Sequence, residues 1–111
     1  MKPIEDCTTA NYHDFLDFEI VDKNNEAVGA LFTAWSDQKT GKFEFLGFKT
    51  GWLVGENRIL PAKGAQVDEE NRRIHVPYTA EFLKDAPPFD AAAEVTEEHE
   101  QEIRDYYRGD D

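Results

Sequence analysis

An all-β fold, a small antiparallel barrel of about six strands with a short helical turn and a C-terminal helix, is what this 111-residue sequence predicts. Three observations predict it. Six short segments read as strands, the first of them, Asp17–Val21, alternating polar and apolar residues with the period of two that a half-buried strand requires. Turn signals separate them at spacings of roughly 8–12 residues, the rhythm of a sandwich or barrel. Eight Phe, four Tyr and two Trp supply bulky material for one core. The length suits a single domain, with residues 15–88 as the barrel, 1–14 as a polar tail, and 89–111 as an acidic linker and helix. Closure of the barrel would also remove exposed strand edges.

The first strand is Asp17-Phe18-Glu19-Ile20-Val21, followed by an Asn-rich turn, Asp22–Glu26. The second, Ala27–Ser36, puts Val28, Ala30, Phe32 and Ala34 on one face and Leu31, Thr33 and Trp35 on the other. Apolar residues on both faces imply a sheet covered on both sides, by the tail or by a second subunit. A hairpin loop ending at Gly41 leads to Lys42–Thr50, where Gly47 predicts a bulge or barrel corner. Trp52-Leu53-Val54 continues that strand and Gly55-Glu56-Asn57 turns it. Arg58–Pro61 is short, because proline cannot donate to a ladder. Gln66–Asp68 and Arg72–Pro77 pair across Glu69-Glu70-Asn71, with Val67, Ile74 and Val76 inward. Thr79–Asp85 is a helical turn stopped by Ala86-Pro87-Pro88, and Pro87–Ala93 reads as a linker or loosely held arm. Thr96 caps a helix over Glu97–Arg108, whose early glutamates complement its dipole. Ile103, Tyr106 and Tyr107 form its one narrow apolar stripe. A helix this short is marginal alone and must dock on this barrel or a neighbour's.

The strand Glu26-Ala27-Val28-Gly29-Ala30, the proline-ended Ile59-Leu60-Pro61, and Ile74-His75-Val76-Pro77 running into Thr79-Ala80-Glu81 together resemble the PRC-barrel domain family. That family includes the barrels of the photosynthetic reaction-centre H subunit and of a ribosome maturation factor. The likeness runs from about Phe15 to Pro88, and the acidic end with Tyr106-Tyr107 is similar to the ends of single-domain members. It implies a PRC-type barrel that docks on other proteins, in an assembly or regulatory role, and it implies no reaction. The stretch Phe32-Thr33-Ala34-Trp35 departs from the acidic, polar residues commoner there in relatives.

The formal net charge of -12 is uneven: -4 over residues 1–80 and -8 over residues 81–111. Phosphate backbones and anionic lipid repel such a chain, so no nucleic acid is expected as a partner, and a basic protein fits better. No segment approaches the roughly 20 apolar residues of a membrane span, and residues 1–15 lack a signal-peptide core. A soluble cytoplasmic protein is expected. The single cysteine, Cys7, makes no internal disulfide, and beside Glu5 and Asp6 it reads as an unreactive surface thiol. His13, His75 and His99 have no metal-ligand spacing, no nucleophilic triad is apparent, and Gly47, Gly51 and Gly55 do not precede a helix as a phosphate cradle would. No enzyme and no cofactor are therefore expected. The candidate protein-binding residues are Trp35, Ile103, Tyr106 and Tyr107, and the expected partner is another protein or a second copy in a homodimer. Trp52 is a second candidate for the core or barrel rim. The alternative is a small-ligand or catalytic barrel, which would need an interior cavity of about 300 Å³ or more with converging polar groups.

Overall fold

The structure, a computed structural model, describes residues 1–7, 13–50, 56–89 and 96–108. The expectations for Trp52, for Trp52–Val54 as strand and for Gly55 lie outside these residues. Seven strands are found among them: β1 (Lys2–Pro3), β2 (Glu19–Val21), β3 (Ala27–Ser36), β4 (Phe43–Thr50), β5 (Glu56–Pro61), β6 (Gln66–Asp68) and β7 (Arg73–His75). Two helices follow, α1 (Ala80–Lys84) and α2 (Glu97–Arg108). The all-β class stands, and the expected second strand and final helix are found at the expected bounds.

The strands form one sheet in the order β1-β6-β7-β2-β3-β4-β5. Three features differ from the expectation. First, β2 and β7 pair in parallel, Ile20 opposite Ile74, in a sheet otherwise antiparallel. Hairpin turns dictate antiparallel neighbours only between consecutive strands, and the chain between β2 and β7 is long enough to return in either sense. Second, the sheet does not close, since β1 and β5 share no ladder among the described residues. Third, the amino-terminal residues, expected as a polar tail, supply β1, and Ile4 is fully buried. The Ile4 N–H donates to the Ala65 carbonyl at 2.9 Å. Cys7 is buried rather than on the surface, its thiol directed at the Pro3 carbonyl 3.9 Å away.

The edge of β5 is not left open. The Ile59 N–H donates to Pro87 at 3.1 Å, the Phe89 N–H to Asn57 at 3.3 Å, and Arg58 Nη1 to Ala86 at 2.8 Å. Pro87-Pro88-Phe89 is thus an edge cover and not a loose arm, which is one way proteins block edge pairing.

Register fixes the two faces of the central strands. Leu31, Phe48 and the pair Leu46–Leu60 share one face, and Thr33, Gly47 and Ile59 share the other. Except for Thr33, all of these are buried, so the central sheet is covered on both sides. The first face, with Ile20 and Ile74, packs hydrocarbon into the core. A bulge on β3 leaves Phe32 without a partner between Leu31↔Phe48 and Thr33↔Gly47. The irregularity that Gly47 predicted therefore sits on the facing strand. Gly47 itself permits close approach: a Cβ there would lie 2.8 Å from both Phe89 Cζ and Thr33 Cγ2.

Helix starts follow their caps. Thr79 accepts from the Phe82 N–H at 3.2 Å and Thr96 from the His99 N–H at 3.1 Å. Asp22, only 2% exposed, ties α1 to the β2–β3 turn. Its carboxylate accepts the N–H groups of Asn24 (2.8 Å), Glu26 (2.7 Å) and Ala80 (3.0 Å). Burial alone would raise its pKa, but the three backbone donors outweigh that and hold it below the ordinary aspartate range.

Candidate protein-binding surface

Among the described residues two segments cover the outer face of β3–β5, and Phe32 at its β3 end stays partly exposed. The first is α2. Ile103 is fully buried and Tyr107 is 5% exposed, both in the chain's own core. The Tyr107 hydroxyl donates to the Ile59 carbonyl at 2.7 Å, and the Tyr106 hydroxyl donates to the Phe82 carbonyl. Burial, reinforced by Tyr78 and Tyr106, drives the Tyr107 phenol far above its ordinary value, so it stays a neutral donor. Tyr106 stacks on Phe82 with centroids 4.4 Å apart, and Tyr78 approaches Tyr107 at 4.8 Å. Arg104 lies over the Phe45 ring at 5.1 Å and bridges Glu44 (3.0 Å) and Glu100 (2.9 Å). Burial and the Glu100 charge raise the Glu44 pKa against the opposing pull of Arg104.

The second cover is Phe89, laid over Gly47 and edge-on to Trp35 at 5.1 Å. Its ring also meets that of Phe32, with the two ring centres 6.4 Å apart. Phe32, unpaired in the bulge, is 38% exposed, and Trp35 keeps part of its indole in solvent. Over the Phe32 ring stands Lys49 Nζ, 4.3 Å from its centre. An exposed cation–π contact of this kind contributes roughly 0.5–1 kcal/mol.

Of the four residues the sequence singled out, the structure therefore divides the set. Ile103 and Tyr107 are spent inside the chain and hold α2 in place. Trp35 and Tyr106 each keep a partly exposed ring. Sequence reading missed Phe32 and Phe89: the first depends on a bulge that alternation does not reveal, the second lay in an apparent linker. The available signal was the apolar pair Phe32 and Trp35 flanking Thr33-Ala34 where a solvated strand would carry polar groups.

Two surface clefts are formed by described residues. One, of about 260 Å³, lies beside Asp22, Lys23, His75 and Pro77. The other, of about 540 Å³, runs along the outer side of α2 past Glu98, His99, Gln101, Glu102 and Asp105. Among the described residues no group of three His, Cys, Asp or Glu side chains is placed to hold a metal ion. The Cys7 thiol is pushed up in pKa chiefly by burial, with Lys2 opposing. Among the described residues no helix is long and apolar enough to cross a membrane.

No curated protein matches the chain. Among 29 matching solved chains is a 16S ribosomal RNA processing protein, RimM, from Pseudomonas aeruginosa. It is 14% identical with a TM-score of 0.44, over 63% of this chain and 44% of that one, so this chain spans less than half of that protein's length. The family comparison covers more of the sequence, matching the PRC-barrel domain over residues 8–83, about two-thirds of the chain, and on that match the protein belongs to the PRC-barrel family.

Proposed function

We propose that this protein is a non-enzymatic protein-interaction module that self-associates as a homodimer and acts in assembly or regulation. The observation that carries this reading is the partly exposed aromatic end of the outer sheet face, Phe32 with Trp35. Exposed apolar patches on small domains commonly mark interaction sites. In this reading Trp35 and Tyr106 touch the partner, while Ile103 and Tyr107 hold the helix that presents Tyr106. The filled inner face of the sheet favours docking over ligand capture, because Ile20, Leu31, Leu46, Phe48, Leu60 and Ile74 are buried there in one core. The cytoplasm, where a single unpaired thiol persists, is the compartment that fits.

Light scattering of the purified protein across a wide concentration range tests the self-association. The expected mass approaches twice 12.7 kDa. A mass fixed at that of one chain at every concentration overturns the homodimer.

A further inference from the structure

The strap Ala86–Phe89 lies along β5 as the next strand of the sheet would, but it makes a defective strand. Arg58 and Pro88 form an antiparallel bridge, flanked by the bonds from the Ile59 N–H to Pro87 and from the Phe89 N–H to Asn57. In that register Ile59 and residue 87 are the pair that should exchange two N–H···O bonds. Pro87 has no N–H, so one of the two cannot form. The carbonyl of the fully buried Ile59 is left over, and the Tyr107 hydroxyl of α2 donates to it at 2.7 Å. Tyr107 thus stands in for the backbone donor that the proline lacks. A second mismatch is at Asn57, whose Oδ1 is buried with no hydrogen-bond donor among the described residues.

Strap and helix are tied to each other as well as to the sheet. The Pro88 carbonyl lies 3.0 Å from His99 Nε2 of α2, and because a carbonyl only accepts, the ring donates. Ile59 gives its N–H to the strap and its carbonyl to α2. Losing either cover therefore leaves a group that the other cannot satisfy. Both covers follow residue 83, where the family match ends. Among the described residues nothing else pairs with that edge of β5.

We propose that the β5 edge is a strand-accepting site for an extended, proline-free peptide segment of another protein, held shut in this chain by the strap and α2 acting as one latch. Such a segment supplies the N–H that Pro87 lacks and needs no tyrosine to complete the ladder. Addition of a strand to a sheet edge is a general mode of peptide recognition. Phe89 leaves with the strap, which frees the space over Gly47 for one side chain of the incoming segment. The proposal needs neither the homodimer nor the Phe32–Trp35 surface.

Amide hydrogen exchange on the full chain tests the latch. The Ile59, Phe89, Ile103 and Tyr107 amides should exchange through one common opening, at least tenfold less protected than Leu46 and Phe48 of β4. Tyr107→Phe should speed exchange at Ile59, Phe89 and Ile103 at least tenfold and leave Leu46 and Phe48 unchanged. Pro87→Ala added to it should restore protection at Ile59, since alanine offers the missing N–H. Separate openings of Ile59 and α2, a rise that reaches Leu46 and Phe48 equally, or a Pro87→Ala addition that restores nothing overturns the latch. Strand acceptance is read with a synthetic peptide copying residues 84–89 with Pro87→Ala and Pro88→Val. It should bind the Tyr107→Phe variant at least tenfold tighter than the unaltered protein, with NMR shifts at Asn57 and Ile59. Equal binding to both proteins, shifts confined to other residues, or no binding overturns the site. Should Tyr107→Phe fail to fold, the common opening in the unaltered protein decides the latch. Titration of that protein with the peptide, with shifts at Asn57 and Ile59 or without them, then decides the site.

Discussion

The two halves of the outer sheet face were built by the same alternation and ended differently. At the β5 side, α2 returns over the strands, buries Ile103 and Tyr107, and gives each tyrosine hydroxyl a carbonyl partner. At the β3 side, among the described residues, Phe89 and Lys49 reach across, and Phe32 stays 38% exposed. The difference does not lie in hydrophobicity, since Phe45 and Ile59 under the helix are no more apolar than Phe32 and Trp35. It lies in whether a later segment of chain comes back. Both tyrosine hydroxyls at the covered half are satisfied, as buried polar groups usually are. The open half keeps part of an aromatic ring in water, with Lys49 standing over it.

The strongest way to break that comparison is Ile103→Ala. If α2 is core, removing a fully buried isoleucine should cost about 2–5 kcal/mol in denaturant unfolding. A loss below about 1 kcal/mol would mean that the helix contributes little, and both halves would then be surface. Gly47→Ala probes the boundary between them. Its Cβ would press on Phe89 and Thr33 at 2.8 Å, and overpacking of this kind costs about 1–3 kcal/mol. Unchanged stability would show that Phe89 lifts freely and that the open half extends beneath it.

What the sequence could show follows the same line between local and returning structure. Ala27–Ser36 and Glu97–Arg108 were legible because alternation, caps and the Ile103/Tyr107 spacing act within a few residues. The cover on both faces was legible too, from apolar residues on both sides of the second strand. The parallel pair β2–β7 was not, because strand direction there is decided by packing between segments far apart in sequence. Nor was β1, since Lys2-Pro3 is too short to show any period and Ile4 looks like one apolar residue in a polar tail. Phe89 was misplaced for the converse reason. Two prolines announce a break in local structure, and nothing local says that the ring beyond them meets a glycine forty-two positions earlier.

The smallest effect on stability is also the one that separates the two halves most sharply. Phe32→Ser removes a ring that is already 38% exposed and sits in a bulge with no cross-strand partner. Its unfolding free energy should stay within about 0.5 kcal/mol of wild type, as for surface positions generally. Association, in contrast, should be lost, because this partly exposed ring carries the proposed binding surface and aromatic anchors carry most of an interface's energy. Stability is read from thermal or denaturant unfolding and association from the mass, on the same samples. A destabilisation beyond about 2 kcal/mol would place Phe32 with Ile103 as part of the core, and the open half of the sheet would then be only an imperfectly covered version of the closed one.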